Sequence, residues 1–185
     1  NQTYTAAGGI VTSGARTFEG DTINFASALS GDNNVTVTGN ADIDGAVTSI
    51  AVLSVSGTSN IGADITTSGT QTYTDAVTLS ANVTLTTSSD AVTFSSTINS
   101  ADSTRRNLTI ATGGDSTTVT FDGIVGGSQA VGEIAITGVL DLDAAITDAT
   151  SVSVSGTSNL GANVTTTGTQ TYSGSVTLSG GNRIL

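Results

Sequence analysis

The chain has 185 residues, a formal net charge of −11 and a sequence pI of about 4.1, with no Pro, Cys, Met, Trp or His. Four arginines against 15 acidic residues exclude a phosphate-binding surface, so nucleic acid is not an expected partner. Because His, Cys and Lys are missing, the usual catalytic bases and nucleophiles are missing too, and we expect no enzymatic activity. No apolar run approaches the ~18 residues that a membrane span needs.

Short runs in which apolar residues alternate with Ser or Thr follow one another along the whole chain. This alternation predicts an all-β protein with short strands, and the Gly, Asn, Asp and Ser between the runs favour tight turns. In chain order the predicted strands are Val35–Thr38, Val52–Ser56, Ala76–Leu79, Val83–Thr86, Ala91–Phe94, Leu108–Ile110, Val119–Phe121, Ile134–Thr137, Val139–Leu142, Val152–Ser155, Val164–Thr166 and Val176–Leu178.

The most informative feature is a long internal repeat. The segment Leu53–Ser80 returns 99 residues later as Val152–Ser179, with 20 of 28 positions identical. Such a repeat predicts that similar units are stacked in one domain. We therefore expect a single domain over residues 1–185, with related units near 1–52, 53–151 and 152–185.

Stacked short strands favour a parallel β-helix, or β-solenoid, over a sandwich or a closed barrel. Small residues suit a thin cross-section, and an insertion of about one coil near Gly113 to Gly138 is easier to accept in a solenoid, because the strand number and shear of a barrel are linked. Coils of about 20–25 residues, each about 4.8 Å above the last, predict about eight coils and a rod of about 40 Å.

Stacking also predicts where the aromatic side chains lie. Phe18, Phe94 and Phe121 are expected to fill wider parts of the interior. The repeated Thr-Gln-Thr-Tyr sequence predicts that Tyr4, Tyr73 and Tyr172 mark one face of the rod. These three tyrosines are listed here as members of one repeat phase.

Two stretches carry a resemblance to a known family. The sequences GTQTYSGSVTLS (168–179) and VTFSSTIN (92–99) resemble β-strand-repeat segments of large bacterial filamentous-haemagglutinin-like adhesins and autotransporter passenger domains. The resemblance implies a right-handed β-helix, export to the cell surface, and a stalk or adhesin role that contacts surface glycans. It implies no catalytic site. The secretion-domain signature of such proteins is not visible, so the resemblance implies an interior piece.

Two pairs of acidic residues are candidates for chemistry. Asp42 with Asp44, and Asp141 with Asp143, are two residues apart, so on a strand both carboxylates of a pair point to the same face. Such pairs suit a Ca²⁺ ion or the hydrolysis of a polysaccharide. The alternative is that they are solvated acids that oppose edge-to-edge association. We expect no cofactor, with Ca²⁺ as the only candidate.

Four internal Asn-x-Thr sequences fit the acceptor pattern of N-glycosylation. Each begins where a turn enters a predicted strand, so a turn Asn followed by a strand is the alternative interpretation. The candidate acceptors are Asn34, Asn82, Asn107 and Asn163, and Asn1 also precedes a matching sequence.

The chain shows no sequence that resembles a cap for a solenoid. It begins within a Thr-Gln-Thr-Tyr-like unit and ends in Arg183-Ile184-Leu185. Terminal coils without caps expose backbone groups and apolar side chains, so we expect either a piece of a longer array or end-to-end assembly through Tyr4, Ile184 and Leu185. The sequence thus favours a subunit of an extracellular structural fibre, with an adhesin stalk as the alternative.

One basic cluster remains outside this pattern. Arg105 and Arg106 follow each other in a polar loop, residues 99–107. A solvated loop is the simpler prediction. The alternative is a contact with acidic residues of a neighbouring coil or of another subunit.

Overall fold

The fold consists only of β-strands. The computed structural model describes residues 1–185, and it contains 23 strands and no helix. All pairings between these strands are parallel, and they stack into a β-solenoid of about 10 turns. The all-β solenoid predicted from the sequence is therefore confirmed.

The strands, numbered in chain order, are mostly three or four residues long. They are β1 (Gln2–Tyr4), β2 (Ile10–Val11), β3 (Arg16–Phe25), β4 (Leu29–Ser30), β5 (Val35–Ile43), β6 (Val47–Ile50), β7 (Leu53–Val55), β8 (Ser59–Ile61), β9 (Ile65–Thr67), β10 (Gln71–Tyr73), β11 (Val77–Leu79), β12 (Val83–Thr86), β13 (Val92–Phe94), β14 (Ile98–Ser100), β15 (Leu108–Ala111), β16 (Thr118–Phe121), β17 (Val131–Thr137), β18 (Val139–Leu142), β19 (Ile146–Val154), β20 (Ser158–Leu160), β21 (Val164–Thr166), β22 (Gln170–Tyr172) and β23 (Val176–Leu178).

Each coil has three sides, which gives a triangular cross-section. Strands β7, β8, β9 and β10 begin at residues 53, 59, 65 and 71, so one side takes six residues. Partners on successive coils are accordingly 18 residues apart, as with Asn60 and Asp42. In each strand the first and third side chains point inward and the second points outward.

Three faces follow from the strand register, and each is defined by one row of inward positions. The first face holds Phe18, Val37, Val55, Tyr73, Phe94, Phe121, Leu142, Leu160 and Leu178. The second face holds Gln2, Ile23, Ala41, Ser59, Val77, Ile98, Val125, Ile146 and Val164. The third face holds Ile10, Leu29, Val47, Ile65, Leu85, Ile110, Ile136, Val154 and Tyr172.

The three faces share one continuous interior. A single cluster of 37 buried hydrophobic residues runs along the axis. Phe94 and Phe121 are fully buried, and their ring centroids are 5.5 Å apart. Phe18 packs against this cluster while partly exposed, so the predicted inward placement of the three phenylalanines is confirmed.

The predicted coil length was too long. Where no residue is inserted, 18 residues complete a coil, because each corner needs only two or three small or polar residues. Longer coils occur in the middle of the chain, where Val92 pairs with Val119 across 27 residues. The structure therefore has about 10 turns where the sequence predicted about eight.

The long repeat changes face between its two copies. Leu53 pairs with Gln71 on the first face, whereas its counterpart Val152 pairs with Gln170 on the third. All three sides are six-residue units of the same kind, so the repeated segment fits any of them. The longer coils between the copies then decide which side the second copy occupies.

The prediction that the three tyrosines mark one face is consequently wrong. Tyr4 pairs with Phe25 on the second face, Tyr73 lies on the first face and Tyr172 on the third. Their shared feature is local instead. In each case the tyrosine hydroxyl donates a hydrogen bond to the side-chain oxygen of the Gln two residues earlier.

The buried Gln71–Tyr73 pair makes folding stability depend on pH. Burial raises the pKa of Tyr73 well above its ordinary value of 10.0. The unfolded chain therefore releases this proton near pH 10 while the folded chain keeps it. The contribution is complete below pH 10 and declines as the pH rises above 10, by up to about 1.4 kcal/mol per pH unit.

We expect the free energy of unfolding to fall by about 1 kcal/mol between pH 9.5 and pH 11. Lys and Cys are absent, so few other groups titrate in that range. Urea denaturation across this range measures the slope, and Tyr73→Phe should remove most of it. An equal slope in wild type and Tyr73→Phe would mean that Tyr73 is accessible to solvent in the folded protein.

Candidate functional site

The first predicted acidic pair lies on the second face within a row of polar side chains. Asp42 is the outward residue of its strand and stands between Asn24 and Asn60 of the neighbouring coils. The Nδ2 group of Asn24 donates to Asp42 Oδ2 at 2.5 Å, and that of Asn60 donates to Asp42 Oδ1 at 2.7 Å. Asn24 Nδ2 also lies 3.1 Å from Asp44 Oδ2, so the two carboxylates do face the same side.

The second acidic pair lies elsewhere. Asp141 is the outward residue of β18 on the first face, where it accepts a hydrogen bond of 2.8 Å from Asn159 Nδ2. Asp143 follows the same strand and is exposed. Because the two pairs occupy different faces and distant coils, their four carboxylates do not form one cleft.

A shallow hollow opens beside Asp42 on the second face, with a volume of about 290 Å³. Its floor is the strand backbone at Ala41 and Ser59. Two rows of outward side chains form its walls along the rod axis, and all of them are polar. One row is Thr22, Asn40 and Thr58, and the other is Asp42, Asn60 and Thr78.

The walls of this hollow are held in place by the strand register. The pairing of β3 with β5 shifts between Glu19 and Thr22, and beyond the shift Thr22 lies opposite Asn40. The amide N–H of Thr58 then donates to Asn40 Oδ1 at 3.0 Å. Amide, hydroxyl and carboxylate groups therefore converge on one hollow from three successive coils.

Sequence reasoning identified Asp42 but missed the other wall residues. Their spacing contains the signal, because Asp42, Asn60 and Thr78 are successive positions at intervals of 18 residues. Without the six-residue side, this interval is not evident in the sequence. Asn40 and Thr58 join the site for the same reason.

The Asn-x-Thr residues lie at corners, where their side chains accept backbone hydrogen bonds from the next coil. Asn82 Oδ1 accepts from the Asn107 N–H at 2.9 Å, and Asn163 Oδ1 accepts from the Ile184 N–H at 3.1 Å. Asn34, Asn82 and Asn163 are exposed, whereas Asn107 is half-buried. Glycosylation of these residues stays a prediction.

The predicted self-association residues lie at opposite ends of the rod. Tyr4 is half-buried in the first coil, where its ring centroid is 5.1 Å from that of Phe18. At the other end, Ile184 and Leu185 are exposed and line a second hollow of about 240 Å³ together with Gln170. Their role in self-association stays a prediction.

The basic loop is tied to the rod. The Arg105 guanidinium forms an ion pair of 2.8 Å with Asp148 and donates to the Val131 carbonyl oxygen at 3.1 Å. Arg106 lies 3.4 Å from Asp102, whose carboxyl pKa is lowered by a hydrogen bond from the Thr104 backbone. Contact with a neighbouring acid, the alternative for Arg105, is thus what the structure contains.

Comparison with known proteins yields no match: no protein-family model, no curated protein and no solved structure resembles this chain significantly. No helix that could cross a membrane occurs in the fold. The case for a function therefore rests on the geometry and charge of the chain itself.

Proposed function

We propose that this chain is a structural element of an extracellular fibre, a β-solenoid rod that is extended by further coils at its ends. The observation that carries the proposal is the unbroken stacking of three parallel faces over about 10 turns. Each added coil repeats the same backbone hydrogen bonds and continues the same inward rows. Further coils can come from the same chain or from a second copy.

The distribution of charge supports growth along the axis. All 15 acidic residues lie between Glu19 and Asp148, so the coils at both ends carry no acidic side chain. The sides of the rod repel one another, since they carry nearly all of the net charge of −11. Contacts between ends do not meet this repulsion, and association from end to end is favoured over lateral clumping.

The last coil presents an apolar surface that another coil would cover. Val176 and Leu178 occupy inward positions of the first face, yet 42% and 51% of their surface is exposed. Leu160, one coil earlier, is fully buried because β23 covers it. Coverage of the last coil would bury its apolar side chains in the same way and pair its free strand edges.

The assembly prediction has a matched control on a single strand. Leu178→Asp places a charge on the stacking surface, and we expect it to abolish end-to-end assembly of the purified chain. Thr177→Asp adds the same charge at the neighbouring outward position and should leave assembly unchanged. Electron microscopy and light scattering after size-exclusion chromatography measure rod length and mass.

The outcomes separate the two versions of the proposal. Filaments of wild type and Thr177→Asp, but not of Leu178→Asp, would support stacking of copies. Uniform short rods for all three proteins would contradict assembly of this chain by itself. Filaments of all three would show that the surface around Leu178 is not the contact.

A second candidate function is an interior stalk segment of a large cell-surface adhesin that contacts glycans or host surfaces. The polar hollow beside Asp42 is the observation that favours it. A stalk and a fibre share the same rod, so the two candidates differ in whether the sides of the rod bind a ligand. Binding at the hollow decides between them.

A further inference from the structure

We propose that the hollow on the second face is a binding site for a neutral carbohydrate, with Asp42, Asn60 and Asn40 as its hydrogen-bonding residues. The proposal deepens the adhesin-stalk candidate and does not depend on filament formation. It rests on the shape of the hollow, the chemistry of its walls and a natural comparison within the chain.

The walls offer the groups that sugar hydroxyls need. Of the eight residues around the hollow only Ala41 is apolar, and the side chains of the two walls are amides, hydroxyls and one carboxylate. A hydroxyl group is both a donor and an acceptor, so it pairs with a carboxylate and with either end of an amide. The two walls are about 7 Å apart, because their residues alternate along one strand. A sugar ring between the walls can hydrogen bond to both.

Other ligand classes fit less well. A cation at Asp42 would have to displace the amide N–H groups of Asn24 and Asn60, which already donate to both carboxylate oxygens. An anionic ligand would meet Asp42, Asp44 and a net charge of −11. A peptide that binds through apolar anchors would find only Ala41. A neutral ligand rich in hydroxyls is what remains.

A glycan chain would gain further contacts along the rod. The outward row of the second face continues beyond the hollow with polar side chains on successive coils. Its members are Thr3, Asn24, Asp42, Asn60, Thr78 and Asn99. Several linked sugar units can therefore bind to several coils at once, which raises the affinity over that of one unit.

The long repeat provides a natural control. Asp141 and Asn159, each 99 residues after its counterpart, repeat the Asp42–Asn60 hydrogen bond on the first face. No hollow opens beside them, and Val139 stands where the site has Asn40. The same carboxylate–amide pair thus exists with and without the hollow in one molecule.

The test is a titration followed by ¹⁵N–¹H NMR. Neutral hexasaccharides of glucose, of mannose and of N-acetylglucosamine are added separately, and CaCl₂ is added in a parallel sample. We expect at least one hexasaccharide to shift the backbone amides of residues 40–42 and 58–60. Asp42→Asn should weaken that binding about tenfold, since a hydrogen bond to a carboxylate is lost. Asp141→Asn should bind within twofold of wild type.

Asn40→Val is a second variant that copies the surroundings of Asp141. We expect it to remove binding while the rest of the spectrum stays unchanged, which separates loss of the site from loss of the fold. The proposal is overturned if no hexasaccharide shifts these amides, if Asp141→Asn weakens binding as much as Asp42→Asn, or if only CaCl₂ produces the shifts. These results leave the fibre proposal untouched, because rod assembly is measured separately.

Discussion

Replacement of Gln71 by Leu is expected to lower the free energy of unfolding by about 3–5 kcal/mol, although Leu fills a similar volume. Gln71 is fully buried, and its Nε2 group donates to the Thr86 carbonyl oxygen at 3.0 Å and lies 3.3 Å from the Ile65 carbonyl oxygen and from Thr67 Oγ1. Its Oε1 atom accepts the Tyr73 hydroxyl at 3.0 Å. Leu leaves these polar groups buried without partners, at about 1–3 kcal/mol for each that stays unpaired.

The same substitution at the end of the rod is the matched control. Gln170 makes the equivalent bonds, with Nε2 3.1 Å from the Val164 carbonyl oxygen and Oε1 3.2 Å from the Tyr172 hydroxyl. Gln170 and Tyr172 are only half-buried, so water can replace the lost bonds. Gln170→Leu should therefore cost less than about 1 kcal/mol.

Urea denaturation monitored by circular dichroism measures both variants. The double variant Gln71→Leu with Tyr73→Phe should cost less than the sum of the two single changes, because it removes both partners of one hydrogen bond. Equal costs at positions 71 and 170 would show that burial does not determine the effect. A neutral Gln71→Leu would contradict the buried network.

This network explains why the sequence repeats Gln-Thr-Tyr, which the sequence itself suggested only as a marker of phase. The inward Gln donates across a corner and the inward Tyr closes the bond within the same strand. Both interactions are local, so the unit works on any of the three faces. Tyr4, Tyr73 and Tyr172 are on different faces for that reason.

Period-two alternation was sufficient to predict the strands and the inward phenylalanines. Residues such as Val92, Thr93 and Phe94 carry the signal in consecutive positions. The face of each strand was not predictable, since it depends on the number of residues in every preceding coil. Coils of 18 and 27 residues occur in one chain, and an error at one corner carries into all that follow.

The candidate site illustrates the same limit. The sequence correctly placed Asp42 and Asp44 on one side of a strand, because that relation is local. The contacts of Asp42 with Asn24 and Asn60 join residues 18 positions away on either side, and they require the coil length. The hollow further depends on the register shift after Glu19, for which the sequence has no recognisable signal.

Gly39→Ala is the second substitution with a large expected effect, and we expect it to lower the free energy of unfolding by about 3 kcal/mol or more. Gly39 has φ of +122°, a conformation that other residues rarely adopt. A Cβ atom on this residue would also overlap the carbonyl oxygen of Gly20 in the preceding coil. The corner between the first and second faces would have to open, which separates coils that are otherwise in contact.

The repeat supports this interpretation of Gly39. Its counterpart Gly138 has φ of +145° at the corner between the third and first faces. In both copies the carbonyl oxygen of this glycine accepts the N–H of a glycine in the next coil at 3.0 Å, Gly57 in one case and Gly156 in the other. The same stack of glycines thus closes two different corners of the triangle, as expected if it is a requirement of the turn and not of its position.

Gly114→Ala is the control, since a Cβ atom there meets no atom within 4 Å and its φ is not positive. We expect this variant to be within about 0.5 kcal/mol of wild type, or slightly more stable because Ala restricts the unfolded chain. Thermal and urea unfolding of both variants give the comparison. If Gly39→Ala were as stable as Gly114→Ala, the coils could not be as close at this corner as the stacked glycines require, and the triangular cross-section would need a wider corner there.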